Sequence, residues 1–146
     1  MSKKKAIIVD IDGTIADNNH RTHLIEGKKK DWEQFFEKMV DDKPIEENIH
    51  LIRKSFNQGL NVLIVSGRYE RHECLTRLWL DKYLGIDDYL LFLRKDNDKR
   101  PSFKVKKEIL KQLRERFFIK YAFDDNEKDI EMYTEEGIEV FNTKNL

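Results

Sequence analysis

Two aspartates, Asp10 and Asp12, directly follow a short apolar run and stand two residues apart in the sequence. In extended backbone, residues i and i+2 project to the same side, so both carboxylates can face one substrate. One carboxylate can attack a phosphorus atom while the other transfers protons. Like charges this close repel each other unless a cation accompanies them, and Mg²⁺ prefers carboxylate and water ligands. The pair therefore indicates metal-assisted phosphoryl transfer.

Polar residues that suit this chemistry also follow two later apolar runs. Ser66, Gly67 and Arg68 come after the second run, and Asp124 and Asp125 come after the fourth. Because ligands of open parallel sheets bind beyond the carboxyl ends of the strands, we expect these groups to meet at one edge of a sheet. The two later aspartates would complete an oxygen-rich site for Mg²⁺ there.

The elements that must position these residues are predicted from the apolar pattern. Continuous apolar runs alternate with amphipathic segments, which indicates an α/β fold with a mostly parallel sheet of about five strands, covered on both faces. The segment 16–44 interrupts this alternation, and we expect a small, partly helical insert near the site within a single domain spanning 1–146. The predicted strands are 6–9, 60–65, 89–93, 119–123 and 138–141, and the predicted helices are 31–41, 45–58, 70–84, 105–117 and 127–136.

The predicted helix 31–41 in the insert carries five apolar side chains at helical spacing. This spacing favours one buried helical face over a platform for stacking nucleic-acid bases. Asp31 is a suitable N-cap for the helix. The apolar residues are Trp32, Phe35, Phe36, Met39 and Val40.

Composition limits the class of protein. Lys+Arg and Asp+Glu both number 28 in 146 residues, so the net charge is zero and a strongly basic nucleic-acid coat is excluded, although a local basic patch is not. Cys74 is the single cysteine, so no intramolecular disulfide can form, which suits a reducing compartment. The first apolar run is too short for a signal-peptide core or a membrane span. We therefore expect a soluble cytoplasmic protein.

Roles other than catalysis exist for each of these motifs. A calcium loop of the EF-hand type needs an acidic ligand at its twelfth position, but counting from Asp10 that position is Arg21, and the loop follows a strand and not a helix. Asp124 and Asp125 could serve only to cap the last helix. The calcium interpretation is disfavoured, whereas capping alone stays open for the later pair.

Taken in order, these segments resemble the haloacid-dehalogenase-like (HAD) phosphatase superfamily. The matching pieces are residues 9–14, 65–68, a lysine that opens a later helix, and 123–125. The resemblance implies a Rossmann-like three-layer α/β/α sandwich.

The resemblance also implies roles for the site residues. Asp10 would form a phospho-aspartyl intermediate, and Asp12 would protonate the leaving oxygen and then activate water. Mg²⁺ would be held by Asp10, the main-chain carbonyl of Asp12, and Asp124 or Asp125. Ser66 would bind a phosphoryl oxygen, and the lysine would neutralise the nucleophile and the phosphate.

A closer resemblance is to the 3′-phosphatase domain of phage-type polynucleotide kinases, although no kinase P-loop is present. That family has a lysine in an Arg-x-Asp-x-x-Val-Lys pattern. Alignment on Val-Lys identifies Lys106 as the catalytic lysine, with Lys104 as the alternative, and leaves no aspartate at the matching place. The resemblance is carried by residues 12–16, 20–23, 31–36, 42–44, 66–68, 94–106 and 124–133.

Several residues of these motifs are predicted to bind the substrate: His20 and Arg21 in the insert, together with Thr14, Gly67 and Arg68. The implied function is Mg²⁺-dependent removal of a 3′-phosphate from a polynucleotide end or a nucleotide. A small-molecule phosphatase such as a 5′-nucleotidase is the alternative, and a non-catalytic protein that binds nucleic-acid ends is a third interpretation. No membrane association is expected, and the sequence predicts no protein partner.

Overall fold

In the computed structural model, which describes residues 2–145, the apolar runs form a five-stranded sheet in which every pair of neighbouring strands is parallel. The strand order in this sheet is β5-β4-β1-β6-β7, whereas β2 and β3 form a separate antiparallel pair. The predicted α/β fold with a five-stranded parallel sheet is confirmed. The strands are β1 (Lys4–Val9), β2 (Ala16–Asp17), β3 (Lys43–Pro44), β4 (Asn61–Tyr69), β5 (Leu90–Arg94), β6 (Phe117–Asp124) and β7 (Val140–Asn142).

The last four α-helices connect successive strands of the parallel sheet along the chain, whereas the first two lie in the insert between β2 and β3. Within the described chain, no helix is long and apolar enough to cross a membrane. The α-helices are α1 (Asn19–Thr22), α2 (Trp32–Glu37), α3 (Glu46–Asn57), α4 (Glu73–Tyr83), α5 (Ser102–Leu113) and α6 (Glu127–Glu135). Short 3₁₀ helices span His23–Ile25, Lys38–Asp41, Glu70–His72 and Thr143–Asn145.

Side chains of the central strand β1 alternate between two hydrophobic cores, one on each face of the sheet. Ile7 and Val9 pack into a core that includes buried residues of α3 and α4. Ala6 and Ile8 pack into a second core that includes buried residues of α5 and α6. Because the strand is buried on both faces, it reads as a continuous apolar run in the sequence.

The insert between β1 and α3 is closed by the short pairing of β2 with β3. Its helix α2 is shorter than the predicted helix 31–41, because the α-helix ends at Glu37 and a 3₁₀ helix follows. The change of helical period means that residues 39 and 40 no longer continue the apolar stripe of α2; Met39 is buried, whereas Trp32 and Val40 are exposed. The prediction of a single buried helical face is therefore wrong for these two residues.

Strand β4 is longer than predicted and runs through Ser66, Gly67 and Arg68 to Tyr69. Its pairing with β5 shifts register between Val65 and Tyr69. Such irregularities bend a strand and redirect its side chains, and they are common beside functional sites. The motif predicted to follow the strand is therefore its irregular end.

Candidate active site

A cleft of about 460 Å³ lies at the carboxyl edge of the parallel sheet, where β1, β4 and β6 end. The sheet brings together seven of the residues that the sequence analysis selected. Those that line the cleft are Asp10, Asp12, Ser66, Gly67, Arg68, Lys106 and Asp125.

Asp10 is held in one orientation at the floor of this cleft, with 7% of its surface exposed. Its main-chain N–H donates to the carbonyl of Phe123, which joins the ends of β1 and β6 at 3.0 Å. The Thr14 hydroxyl donates to Oδ2 of Asp10 at 3.2 Å, and the Lys106 ammonium donates to Oδ1 at 2.9 Å. Burial raises the pKa of Asp10 well above its usual range, and the charge of Asp124 adds to this, while Lys106 opposes it.

Lys106 is the single cation of a lysine–carboxylate cluster formed with Asp10, Asp124, Asp125 and Asp129. Its Nζ lies 2.9 Å from a carboxylate oxygen of each of Asp10, Asp124 and Asp129, and its side chain is 2% exposed. Burial alone would lower the pKa of Lys106, but attraction to Asp10 and Asp124 raises that pKa well above its usual value. The ammonium group therefore stays charged.

The two lysines that the sequence analysis left as alternatives occupy different environments. Lys106 lies inside the lysine–carboxylate cluster, whereas Lys104, two residues earlier on α5, is exposed. Residues i and i+2 of a helix point in different directions, so only one of the two can reach the cleft. Of the two, Lys106 is the lysine that lines the cleft.

Three carboxylates of the cluster could hold a metal ion. One oxygen from each of Asp10, Asp124 and Asp125 lies within 4.8 Å of the others. Burial and the neighbouring Asp124 raise the pKa of Asp125, because negative charge is concentrated here. Four carboxylates face one lysine, and the donors are all hard oxygen atoms, so the set fits Mg²⁺. The Asp12 carboxylate points elsewhere, which leaves only its main-chain carbonyl as a predicted ligand.

Gly13 permits this close approach of the acidic groups. Its φ of +83° lies in the left-handed region that glycine adopts without penalty. A Cβ atom at this position would lie 2.0 Å from Oδ2 of Asp125. A larger residue would therefore both strain the turn after β1 and displace a candidate metal ligand.

The second ionic group at the cleft is an arginine–aspartate network, formed by Asp12, Arg21, Asp42 and Arg68. Arg68 donates from Nε and Nη2 to both oxygens of Asp12, at 3.0 and 2.8 Å. Arg21 donates from Nε and Nη2 to both oxygens of Asp42, at 2.8 and 2.9 Å. Each arginine also bonds the other aspartate, so two positive charges are matched by two negative charges.

This network sets the charge state of Asp12. Burial acts to raise the pKa of the Asp12 carboxyl, but the ion pair and hydrogen bonds with Arg68, supported by Arg21, lower that pKa below its usual value. The Asp12 carboxylate is therefore ionised at neutral pH before any substrate binds.

Three residues that the sequence analysis assigned to substrate binding do not line the cleft within the described residues. Thr14 is buried and bonds Asp10. His20 Nε2 lies 2.7 Å from an oxygen of Asp42, and Arg21 is buried in the arginine–aspartate network. Thr14 therefore contacts Asp10, Arg21 contacts Asp12 and Asp42, and His20 contacts Asp42.

The sequence analysis assigned no role to two buried aspartates, Asp42 and Asp129, although both lie in segments that carry the resemblance. Asp42 lies 30 positions after Asp12 in the sequence, so no local pattern links them to a common network. Asp129 lies three residues after Asn126, whose side chain accepts from its N–H at 3.1 Å, a spacing typical of helix capping. Its long-range contact with Lys106 has no local signature. Its carboxylate lies beside Ser102, the position at which the sequence alignment lacked an aspartate.

The chain matches a family model over residues 4–145, and the family is described as the polynucleotide kinase PNKP phosphatase domain. A protein of Autographa californica nuclear polyhedrosis virus, assigned as a bifunctional polynucleotide kinase/RNA ligase, is 26% identical over 141 residues. The alignment covers 94% of this chain but only 19% of the viral protein.

Solved structures agree with this match. A chain of the Pnkp1/Rnl/Hen1 RNA repair complex is similar with a TM-score of 0.82 and 27% identity, over 97% of this chain and 42% of that chain. A class C acid phosphatase from Bacillus anthracis, solved with tungstate bound, gives a TM-score of 0.70 at 15% identity, over 98% of this chain and 68% of that chain, which shows the fold alone. The chain thus spans less than half the length of its first relatives. The predicted resemblance to HAD phosphatases of the polynucleotide kinase type is confirmed.

Proposed function

Because the chain belongs to the family of the polynucleotide kinase PNKP phosphatase domain, and is thus a HAD phosphatase domain, we propose that it is a Mg²⁺-dependent phosphomonoesterase that removes a 3′-phosphate from a polynucleotide end or nucleotide. The observation that carries this proposal is the buried Asp10, fixed by Lys106 and Thr14 beside two further carboxylates at the floor of an open cleft.

In the first step, Oδ of Asp10 attacks the phosphorus atom of the monoester. The bond from Asp10 to phosphorus forms while the bond from phosphorus to the leaving oxygen breaks, and this gives a phospho-aspartyl intermediate. Lys106 is positioned to offset negative charge on both Asp10 and the transferring phosphoryl group. Ser66, buried at the irregular end of β4, is the proposed donor to a phosphoryl oxygen.

Asp12 is the proposed acid and base. It gives a proton to the leaving oxygen in the first step. In the second step it takes a proton from the water whose oxygen attacks phosphorus while the bond from Asp10 to phosphorus breaks; inorganic phosphate leaves, and the Asp10 carboxylate and the protonated Asp12 are restored. In the free protein Arg68 and Arg21 keep Asp12 ionised. An incoming phosphate monoester brings negative charge to the cleft and offsets the arginines, so the bound complex favours the protonated form.

Mg²⁺ bound by Asp10, the Asp12 carbonyl, and Asp124 or Asp125 would supply positive charge for the spreading charge of the phosphoryl group. Asp124 is already engaged, since Oδ1 accepts from the N–H groups of Asp125 and Asn126 and Oδ2 accepts from Lys106. These hydrogen bonds orient the Asp124 carboxylate towards Asp10 and Asp125, with which it forms the metal trio, the three carboxylates that could hold a metal ion.

A nucleic-acid end is the proposed substrate because of the relatives. The viral relative is assigned as a kinase/RNA ligase, and a structural neighbour belongs to an RNA repair complex. Zero net charge favours a short end or a nucleotide over a long duplex. Zero net charge also makes a small-molecule phosphatase, such as a 5′-nucleotidase, the second candidate. Location in the reducing cytoplasm stays a prediction from the single Cys74.

The test is phosphate release in Mg²⁺ from four substrate classes: a 3′-phosphorylated oligonucleotide, 3′-nucleotides, 5′-nucleotides and sugar phosphates. We expect the highest kcat/KM for one of the first two classes, and no release by Asp10→Asn with any of the four. A preference for 5′-nucleotides or sugar phosphates would overturn the substrate assignment. Equal release by wild type and Asp10→Asn would overturn the mechanism.

A further inference from the structure

One large aromatic side chain is exposed at the rim of the cleft. Trp32 is 48% exposed and lines the cleft together with Phe36, whereas the other tryptophan, Trp79, is 2% exposed and lies in the core. An exposed indole loses favourable burial, so its position beside a candidate active site calls for a ligand that covers it.

The indole of Trp32 is supported from behind by other rings. It stacks on Phe36 with ring centroids 5.9 Å apart and planes 26° apart, and Phe36 stacks on His72 at 4.4 Å. Phe35 packs edge-on against Trp32, and Tyr69 packs edge-on against Phe36. The stack formed by Trp32, Phe36 and His72 thus fixes the indole plane, and a flat ligand would bind it with little loss of side-chain freedom.

Cationic side chains flank the aromatic stack, and two of them are paired with carboxylates: Arg71 with Asp96, and Arg100 with Asp98 and Glu108. The ammonium of Lys30 lies 6.0 Å from the Trp32 ring, and the guanidinium of Arg71 lies 4.1 Å from the Tyr69 ring. Lys99 and Arg100 line the same cleft. A flat hydrophobic surface beside cations matches a ligand that combines a planar ring with phosphates, which is the chemistry of a nucleotide.

We propose that Trp32 forms a stacking subsite for the terminal nucleobase of the substrate, while the phosphate of the same nucleotide enters the cleft towards Asp10. This inference rests on the proposed function and adds to it a recognition element for the base. Stacking accepts any base, because each has a π face, so the subsite favours nucleotides over sugar phosphates without selecting a base sequence.

The experiment compares two substrates, a 3′-phosphorylated oligonucleotide and the same oligonucleotide with an abasic terminal nucleotide. For Trp32→Ala we expect KM for the first substrate to rise about 5- to 150-fold, the range that base–aromatic stacking gives, with little change for the abasic one. Trp32→Phe should keep most of the affinity. The matched control is Leu78→Ala, because Leu78 is exposed on α4 outside the cleft.

Binding can be measured apart from catalysis. Trp32 is the exposed fluorophore of the two tryptophans, so an oligonucleotide should quench the emission of wild type and not that of Trp32→Phe. Unchanged KM in Trp32→Ala, or an equal rise for the abasic substrate, would overturn the subsite. Absence of phosphate release by wild type from every substrate would instead overturn the proposed function, and quenching would still report on the subsite.

A second, independent observation concerns Asp129, a buried acid that neither the nucleophile nor the metal trio uses. Its Oδ2 lies 2.9 Å from Nζ of Lys106. The hydroxyl of Ser102, at the start of α5, lies 2.6 and 2.8 Å from its two oxygens. Asp129 on α6 is thereby tied to both the beginning and the second turn of α5.

The three carboxylates that contact Lys106 would have different roles once metal ion and substrate are bound. Asp10 and Asp124 belong to the trio that could hold a metal ion, and Asp10 also becomes bonded to phosphorus. Asp129 stays outside both events. We infer that Asp129 is the positioning residue that keeps the Lys106 ammonium aimed at the cleft while its other two partners are engaged.

The test uses the contact between Ser102 and Asp129 to move one carboxylate across it. Asp129→Asn should lower kcat about 10- to 100-fold with KM nearly unchanged, as for other residues that orient a catalytic group. The exchange variant Ser102→Asp with Asp129→Ser places an acid on α5 at the same point and should recover most of that loss. Ser102→Asp alone, which keeps Asp129 and so puts two acids in contact, should not raise kcat above that of wild type.

If Asp129 were purely structural, Asp129→Asn would lower the thermal stability, and the exchange variant would not restore kcat. This outcome would overturn the inference. Wild-type kcat in Asp129→Asn would also overturn it. If Asp129→Asn fails to fold, Asp129→Glu and the exchange variant carry the same comparison. Inactive wild type would count against the proposed function alone.

Discussion

The lysine–carboxylate cluster and the arginine–aspartate network lie side by side at the same cleft but differ in charge balance. In the cluster, Lys106 faces four carboxylates, and the pKa values of Asp10 and Asp125 are raised by burial and by repulsion from Asp124. In the network, two arginines match two aspartates, and the pKa of Asp12 is lowered. The lysine–carboxylate cluster thus has an excess of negative charge, whereas the charges of the arginine–aspartate network are balanced.

The difference in charge balance suits the two groups to different functions, binding a cation and holding a side chain in a fixed orientation. An excess of carboxylates destabilises the free protein but suits a divalent cation and an anionic substrate held by it. A balanced network has no excess negative charge for a further cation to neutralise, and its paired geometry holds Asp12 in the orientation that the proposed proton transfer requires. Removing one carboxylate charge should therefore have opposite effects on stability: it should destabilise the arginine–aspartate network and stabilise the lysine–carboxylate cluster of the metal-free protein.

The largest effect is expected at the nucleophile in the cluster. Asp10→Asn keeps the shape but replaces the proposed nucleophilic carboxylate with an uncharged amide, so kcat/KM for the best substrate should fall by about 10⁴-fold or more. The measurement is phosphate release at saturating Mg²⁺, with circular dichroism to show that the fold is kept. If kcat/KM of Asp10→Asn stayed within about 10-fold of the wild-type value, the nucleophile would have to be another residue.

In the balanced network, removing one charge should affect stability most. Asp42→Asn leaves Arg21 and Arg68 with one carboxylate between them in a buried site, which should cost about 3–5 kcal/mol of unfolding free energy. For a domain of this length, this corresponds to a fall in Tm of about 10 °C or more. Asp41→Asn is the matched control, because Asp41 is adjacent but exposed, and it should change stability by less than about 0.5 kcal/mol.

The next comparison is between the two lysines of α5. Lys106→Ala removes the single cation of the cluster and should lower kcat by about 10²–10³-fold, the usual effect of losing one donor to developing negative charge. Lys104→Ala, on the exposed side of the same helix, should leave kcat unchanged. A greater loss for Lys104→Ala would show that the sequence alignment, and the role given to Lys106, are both wrong.

Much of the site follows from sequence because strand ends are predictable. Asp10, Asp125 and Ser66 were located by buried apolar runs, and parallel strands deliver their carboxyl ends to one edge whatever the details of packing. The same argument cannot find Asp42 or Asp129. Their partners lie on other elements, and locally they look like a loop residue and a capping residue.

The insert shows a second limit of sequence reasoning. Helical spacing predicted that Trp32 packs in the core, since the pattern assumes one unbroken helix. The structure changes to 3₁₀ after Glu37, which moves Met39 inward and leaves Trp32 at the cleft. A change of helical period depends on tertiary contacts, and so the exposed ring, the feature most informative about substrate, was the one that the spacing concealed.

The smallest effect, and the sharpest contrast with Asp42, is expected at Asp125. Its pKa is raised in the folded protein, so ionisation costs stability at pH values above the pKa of the unfolded chain. In EDTA at pH 7, Asp125→Asn should therefore melt at a higher temperature than wild type. This difference should shrink as the pH falls, because wild-type Asp125 then becomes protonated. The opposite sign at Asp42→Asn follows from its balanced environment.

Mg²⁺ should reverse the order of wild type and Asp125→Asn. Wild type should gain about 2.7 kcal/mol at a Mg²⁺ concentration 100 times its Kd, whereas the variant, with one ligand weakened, should gain less. Asp88→Asn, at an exposed position remote from the cleft, serves as the control and should respond to Mg²⁺ as wild type does. If Mg²⁺ stabilised Asp125→Asn as much as wild type, Asp125 would not be a ligand, and the excess of carboxylates beside Lys106 would need another explanation.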